Sequence, residues 1–208
     1  VSHELYADVR QMFLSLRPDT IAQPCGYEGE ILVDEYERGN IYVKGIFVKN
    51  HDQLRYGYNF TIMQTDRNRA LVDDFSIRWS AGAIVDGAMK SGALKVDDVL
   101  DLIMDGTFEA QSLGSRLGAD RKKKIADRFK ERYNAQYAVS DPAQATELEH
   151  LGLAAVSVSS SAAELLSCEL GNPATAIREM KRTAKVIYTE TGLTSDELTE
   201  LQWAKEQV

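Results

Sequence analysis

The chain has 208 residues, a formal net charge of -8 and 44% hydrophobic residues. A chain of this size and composition can bury a core, so general disorder is excluded, and its acidic balance excludes a protein that is basic throughout. Cys25 and Cys168 are too few for a disulfide scaffold or a cysteine zinc site and indicate reduced thiols. No apolar run approaches the roughly 20 residues that cross a bilayer, and no signal-peptide pattern is visible. We therefore expect a cytoplasmic protein with no membrane contact.

The first part of the chain carries a helical pattern and then strand patterns. Residues 2–17 place apolar side chains on one face of a helix that Pro18 ends. Three apolar runs follow, EILVDEY, NIYVKGIFV and YGYNFTIM, with a turn predicted at Gly39-Asn40. The middle run is interpreted as a single strand with Lys44 at its centre. These patterns predict a helix over residues 2–17 and a small antiparallel sheet within residues 28–65.

From about residue 70 onward the pattern becomes helical. Helices closed by Gly92 and Gly106 are predicted first, and then a helix over residues 119–133. A strand-helix-strand unit comes next, with helix caps predicted at Asp141 and Ser161, and two more helices are expected to open at Asn172-Pro173 and Thr194. The predicted fold class is therefore α+β, with a boundary near residues 68–74 between domains 1–70 and 71–208.

The sequence contains no recognisable catalytic or metal-binding motif. His3, His51 and His150 lie far apart, without ligands at zinc spacing. Neither a P-loop nor a G-x-G-x-x-G turn is present, so the chain has no phosphate cradle of its own. No catalytic residue is assigned, although an enzyme with a site built from scattered residues is neither supported nor excluded.

Two basic segments are candidates for nucleic-acid contact. Residues 121–132 contain seven basic residues against two acids, and the basic ones are Arg121, Lys122, Lys123, Lys124, Arg128, Lys130 and Arg132. Arg67 and Arg69 lie in the cluster DRNR after the third strand run. A basic helix face can follow a phosphate backbone, but it is also typical of a solvated surface helix. Both interpretations stay open.

A resemblance adds to this interpretation. RGNIYVKGIFV, LRYGYNF and DRNRALVDDF, with ADRFKERY, ELEHLGLAAVSVS and LTSDELTELQWAKE further on, resemble the region after the nucleotide pocket in bacterial, plasmid and phage-borne ATP-binding proteins. Those proteins belong to the GHKL superfamily, together with gyrase B and the histidine kinases. The Asn-bearing helix, Asp-x-Gly-x-Gly turn and Gly-rich lid that bind ATP in that superfamily are not found here.

The resemblance implies a non-catalytic transducer and interaction portion of a GHKL-type protein. Residues 1–70 would then be a transducer-like α+β domain and residues 71–208 a mainly helical output domain. The chain would hold no cofactor itself, and ATP and Mg would be present only if an upstream segment binds them. Its partner would be that upstream or separate nucleotide-binding segment, while a homo-oligomer is left open.

Lys44 is the one phosphate-contact candidate. Gyrase-type relatives bring a Lys from a loop of the domain after the pocket to the terminal phosphate, whereas the pattern here places Lys44 in mid-strand. The competing interpretation is an ordinary surface lysine whose stem lies over Tyr42. The alternative function, nucleic-acid binding, rests on the helix 121–132 with Arg67 and Arg69.

Overall fold

The computed structural model describes residues 9–10, 12–64 and 73–190, with side chains described as far as residue 183. Its architecture is α+β, as predicted: a sheet comes first and a mostly helical region follows. None of the helices in these ranges is both long enough and apolar enough to cross a membrane.

The sheet of the first part has five strands, which are Ala22–Pro24 (β1), Gly29–Leu32 (β2), Asn40–Val43 (β3), Ile46–Asn50 (β4) and Gly57–Phe60 (β5). Their order across the sheet is β1-β2-β5-β3-β4, so β5 is central and is buried along its whole length. β3 runs parallel to β5, while the other neighbouring pairs are antiparallel. The sheet is therefore mixed, and it begins at residue 22, so the prediction of an antiparallel sheet within 28–65 is corrected on both points.

The run NIYVKGIFV forms two strands, so its interpretation as a single strand is wrong. β3 and β4 pair with each other across the two residues Lys44 and Gly45, with Val43 opposite Ile46. Both turn residues have positive φ, +52° and +78°. Positive φ at both central residues is the backbone of a two-residue type I′ hairpin, whose twist matches that of the strands. Lys44 thus lies at the tip of a turn and not on a strand face.

Seven helices are described, which are Asp74–Ser91 (α1), Val96–Asp105 (α2), Ala110–Arg116 (α3), Ala119–Tyr133 (α4), Pro142–His150 (α5), Ser160–Leu170 (α6) and Pro173–Glu190 (α7). Gly92 and Gly106 close α1 and α2 in the left-handed conformation, as predicted. The short helix α3 was not predicted. The α6 cap is Ser159, whose Oγ accepts from the backbone N–H of Ala162, and not the predicted Ser161.

The predicted strand-helix-strand unit is present in the second part. Tyr137–Val139 (β6) and Ala155–Ser157 (β7) pair in parallel, and α5 connects them. Asp141 caps α5 with Pro142 at its first position, as expected from the sequence. A small apolar cluster of Val139, Leu148 and Ile177 joins this unit to α7.

The two ends of the chain lie largely outside the described residues. Of the helix predicted over 2–17, residues 9, 10 and 12 have helical backbone. Phe13 instead pairs with Ile46, and Leu14–Leu16 form a single 3-10 turn, so the predicted helix does not continue to residue 17. The helix predicted to open at Thr194 lies outside the described residues.

One buried apolar cluster joins the sheet to the helices. It includes Ile31 and Tyr58 from the sheet together with Ile84, Leu113 and Phe129 from α1, α3 and α4. The division into domains 1–70 and 71–208 stays a prediction, and this cluster contains residues from both sides of the predicted boundary. The burial of large apolar side chains in one cluster is the main stabilising contribution to such a fold.

Candidate functional site

Lys44 projects from a turn whose backbone is fixed by three hydrogen bonds. The backbone N–H of Lys44 donates to the carbonyl oxygen of Phe60 at 2.9 Å. The N–H of Gly45 donates to Oδ1 of Asn59 at 2.8 Å, and the carbonyl oxygen of Gly45 accepts from the N–H of Leu14 at 2.8 Å. The turn is therefore held by the central strand on one side and by the segment before β1 on the other, while the Lys44 side chain is exposed.

Asn59 is the residue that ties this turn to the sheet interior. It is buried, and its Nδ2 donates to Oε2 of Glu30 at 2.7 Å while its Oδ1 accepts from Gly45. A side-chain amide that donates in one direction and accepts in the other has its orientation fixed by both bonds. The position of the Lys44 backbone is thereby set by β2 and β5.

The arginines of the basic helix α4 contact carboxylates of other helices. Nε of Arg121 lies 2.5 Å from Oδ1 of Asp86 on α1. On α2, Asp97 accepts from Arg128 at 2.7 Å and Asp101 accepts from Arg132 at 2.5 Å. These pairs fasten α4 to its neighbours, so these three of the seven basic side chains already have anionic partners inside the protein.

The contact with Arg128 also changes the ionisation of the Asp97 carboxyl. The hydrogen bond from Arg128 lowers the pKa of the Asp97 carboxyl, because it favours the charged form. This pair is exposed to solvent on both sides, and surface pairs of this kind contribute little to stability.

The lysines of α4 are arranged differently from its arginines. Lys123 and Lys124 are exposed and Lys122 is half-buried, and none of the three has a carboxylate within ion-pair distance in the part of the chain that the structure describes. Within the predicted basic face, Lys122, Lys123 and Lys124 thus remain without an ionic partner among the described residues, and we call these three residues the lysine cluster. Arg67 and Arg69, the other predicted nucleic-acid contacts, lie outside the described residues.

An aromatic–arginine patch, defined as Phe75, Arg78, Trp79 and Arg116, was missed by the sequence analysis. The rings of Phe75 and Trp79 are stacked, with centroids 6.1 Å apart, and Phe75 is 63% exposed. The guanidinium carbon of Arg116 lies 3.8 Å from the centroid of Trp79, and that of Arg78 lies 5.7 Å from the centroid of Phe75. The four-residue spacing of two aromatics at the exposed start of a helix was the available sequence signal.

Two buried carboxylates were also missed. Glu37 has no exposed surface and accepts from Thr20, Asn40 and Tyr42, besides its ion pair with Arg17 at 2.7 Å. Because a buried charge needs partners on all its lone pairs, this saturated arrangement indicates a structural role.

Glu109 is the second of these carboxylates, and its environment is less complete. Its Oε1 accepts from the backbone N–H of Arg55 and from the hydroxyl of Tyr58, while its Oε2 has no partner within the described ranges. Burial raises the pKa of the Glu109 carboxyl, and the hydrogen bonds to its charged form offset part of this rise.

Among residues 9–10, 12–64 and 73–190, no group of three or more His, Cys, Asp or Glu side chains is placed to hold a metal ion. Comparison with protein-family models, with curated proteins and with solved structures gave no match for this chain.

Proposed function

We propose that this chain is a non-catalytic transducer and interaction module of a GHKL-type ATP-binding protein in the cytoplasm. In this proposal the Lys44–Gly45 turn presents a positive charge to the terminal phosphate of a nucleotide that a separate segment binds. The observation that carries the proposal is the conformation of Lys44, an exposed lysine at φ +52° on a turn with a fixed backbone.

A lysine is an unfavourable residue at this position. The first central residue of a type I′ turn is usually Asn, Asp or Gly, because the left-handed conformation costs other residues roughly 1–2 kcal/mol. Lys44 has no ion pair among the described residues that would offset this cost. An exposed charge held in a strained backbone conformation is more typical of a functional contact than of a stabilising one.

The geometry of the turn also suits contact with a phosphate. Gly45 follows Lys44 and leaves open space around its Cα, so a ligand can approach the backbone closely. The ammonium group of Lys is a compact point charge on a flexible stem, suited to a phosphate oxygen. The placement of Lys44 on a turn agrees with the loop lysine of gyrase-type proteins. It does not agree with an ordinary strand lysine whose stem lies over Tyr42.

The proposal assigns ATP binding and hydrolysis to the separate segment. This chain has neither the glycine-rich turn nor the lid that brings backbone N–H groups to phosphate. We therefore expect the chain alone to have no ATPase activity, and calorimetric titration to give no micromolar ATP affinity.

The decisive experiment measures ATP turnover of the chain together with its nucleotide-binding segment. Lys44→Met is expected to lower kcat by about 100-fold, the loss typical of one charge-stabilising donor, without lowering the melting temperature. Lys123→Met is the matched control, since Lys123 is an exposed lysine on α4. Equal turnover in the two variants would refute the role of Lys44.

A second candidate function is the binding of single-stranded nucleic acid, and the aromatic–arginine patch favours it. Bases stack on exposed aromatic rings with about 1–3 kcal/mol per base, and arginines beside the rings attract phosphates. The two rings line a surface cavity together with Ser159, Ser160 and Ser161. In this candidate function the nucleic-acid contact is proposed on α1 instead of on the helix 121–132.

Fluorescence anisotropy with a labelled single-stranded oligonucleotide at two salt concentrations separates these surfaces. If the patch binds, Phe75→Ala with Trp79→Ala removes binding, and the triple change of Lys122, Lys123 and Lys124 to Glu has a smaller effect. If the lysine cluster binds, the order is reversed and the salt dependence is steeper. No binding by the unaltered chain in low salt would exclude both.

A further inference from the structure

A cavity with both polar and apolar wall residues lies between the turn that joins β1 to β2 and the C-terminal half of α1. Its volume is about 520 Å³, and its wall includes Cys25, Glu28, Asp86, Lys90, Ser91 and Arg116. We call it the turn–helix cavity. Its size falls within the range of small-molecule sites in proteins.

Two glycines allow the turn to approach its neighbours this closely. A Cβ at Gly87 would stand 2.7 Å from the carbonyl carbon of Cys25, and a Cβ at Gly29 would stand 3.1 Å from the carbonyl carbon of Asn59. Real Cβ atoms do not approach a backbone as closely as the first of these distances. The turn is therefore packed on α1 and on β5 through positions without side chains, which gives the cavity a rigid wall.

Two residues of the cavity wall, Glu28 and Arg116, each have a buried polar atom without a partner. Glu28 is 7% exposed, and its Oε2 has no hydrogen-bond partner within the described ranges. The same holds for Nε of Arg116, whose guanidinium group lies over the ring of Trp79. Buried polar atoms are almost always hydrogen-bonded, and each exception requires an explanation.

The other charged side chains of the wall, Asp86 and Lys90, already have ionic partners. Asp86 accepts from Lys90 at 2.6 Å and from Arg121 at 2.5 Å. Glu28 and Arg116 form no ion pair with each other or with another described side chain. One carboxylate and one guanidinium in the wall of the same cavity are thus left without an ionic partner.

We propose that the turn–helix cavity binds a free α-amino acid, whose ammonium group donates to Glu28 and whose carboxylate accepts from Arg116. A cation alone would leave Arg116 without a partner, and an anion alone would leave Glu28 without one. A zwitterion can pair with both charged side chains, because it carries the two complementary charges on one small molecule. Water could complete the hydrogen bonds but would not neutralise either charge.

The remaining wall residues fit a binding role better than a covalent one. Burial raises the pKa of the Cys25 thiol, so this sulfur is neutral near pH 7 and is a poor nucleophile. The ammonium group of Lys90 is already paired with Asp86, and its side chain is largely exposed. This proposal is independent of the role of Lys44, since it needs neither nucleotide nor a second segment.

The test uses the purified chain and each of the twenty L-amino acids at 10 mM in a thermal-shift measurement. At about a hundredfold excess over Kd, a bound amino acid is expected to raise the melting temperature by about 5 °C or more. For a responding amino acid, the amine without its carboxylate and the acid without its amino group are each expected to bind at least tenfold more weakly in calorimetry. Failure of all twenty amino acids would overturn the proposal and indicate bound water only.

Matched variants separate ligand contact from general stability. Glu28→Gln and Arg116→Met are expected to weaken binding at least tenfold, whereas Glu35→Gln, at an exposed acid outside the cavity, leaves it unchanged. Glu28→Asp keeps the charge and is expected to retain more affinity than Glu28→Gln. In a Trp203→Phe background, quenching or enhancement of Trp79 fluorescence on binding reports contact at Arg116. Unchanged affinity in a folded Glu28→Gln variant would overturn the proposal even if an amino acid binds.

Discussion

Gly87 on α1 lies against the carbonyl group of Cys25, and a Cβ at position 87 would stand 2.7 Å from its carbonyl carbon and 3.2 Å from its Cα. Neither atom belongs to a flexible side chain, so neither can move away at small cost. The position of the β1–β2 turn on the helix therefore depends on the absence of a side chain at residue 87. This relationship fixes one wall of the turn–helix cavity and can be tested by a single methyl group.

Gly87→Ala is expected to destabilise the protein by about 1–3 kcal/mol, because the new methyl group overpacks a contact between two backbones. The free energy of unfolding from urea titration measures this change. Gly114→Ala on α3 is the matched control, since no atom lies within 4 Å of a Cβ there. Because Ala is the better helix residue, the control is expected to be up to about 1 kcal/mol more stable than the unaltered chain. A loss of stability in both variants would contradict the packing argument.

The ion pair of Arg121 and Asp86 gives a second prediction. Arg121→Met is expected to lower the free energy of unfolding by about 2 kcal/mol, because it removes a charged hydrogen bond from a carboxylate that is almost fully buried. Lys90 still contacts Asp86, so the loss stays below that of an isolated buried charge.

Lys123→Met on the same helix is the control for this pair. Lys123 is exposed, and an exposed residue away from special contacts changes stability by at most about 0.5 kcal/mol. Urea titration of both variants at low and high salt checks the prediction. Equal stability of the two variants would mean that Arg121 is as free to contact an external phosphate as Lys123.

The elements predicted correctly are those with local signals in the chain. Gly92 and Gly106 end helices because glycine adopts the left-handed conformation without a Cβ penalty, and this property is visible from the residue type. The amphipathic pattern over 119–133 gave the bounds of α4 correctly. Asp141 followed by Pro142 identified the start of α5, because the cap and the fixed φ of proline both act within the first turn of the helix.

The incorrect predictions depended on choices that local pattern does not decide. Lys-Gly is a weak signal for a type I′ turn compared with Asn-Gly, and apolar residues continue on both sides, so the hairpin at Lys44 was interpreted as one strand. Three consecutive serines can each cap α6, and Ser159 is the one that does.

The site residues were harder to predict than the elements. Arg121 looked free in the sequence because Asp86 lies 35 positions away. Glu28 is a candidate ligand-binding residue only because the β1–β2 turn packs on α1, and this packing is not visible in the sequence.

Tyr42 gives the third prediction, through its hydroxyl in the buried network of Glu37. The hydroxyl donates to Oε2 of Glu37 at 2.9 Å, and burial followed by this hydrogen bond raises the pKa of Tyr42 from 10.0 to about 12. A raised folded-state pKa contributes stability that is complete below pH 10 and is lost as the pH rises through 12. The protein is therefore expected to lose stability between about pH 10 and 12.

The measurement compares urea unfolding midpoints of the protein and of Tyr42→Phe at pH 8 and pH 11. At pH 8 the variant is expected to be less stable by about 1 kcal/mol, because Glu37 loses a hydrogen bond. Between pH 8 and 11 the variant is expected to lose less stability than the unaltered protein. Tyr36→Phe, at an exposed tyrosine, is the control and should follow the unaltered protein at both pH values. Parallel losses in all three proteins would show that Tyr42 does not cause the alkaline instability.

Glu109 gives the last prediction, and its sign follows from the same linkage. Burial raises the pKa of its carboxyl above the ordinary 4.5, so the folded state binds this proton more tightly than the unfolded state. The stabilisation of the folded state by this tighter proton binding is complete below pH 4.5, and it is lost as the pH rises through the folded-state pKa of Glu109. Above that value the protein carries a buried charge whose Oε2 has no partner within the described ranges.

Glu109→Gln removes this titration while keeping an oxygen for the Arg55 N–H and the Tyr58 hydroxyl. The free energy of unfolding of the variant minus that of the unaltered protein is expected to increase between pH 4.5 and pH 8, because only the unaltered protein must ionise a buried group. Urea titrations at pH 4.5, 6 and 8 measure this difference, with Glu35→Gln at an exposed acid as the control. A difference that stays constant with pH would mean that Glu109 ionises as easily in the folded as in the unfolded chain, and burial would then not govern its charge.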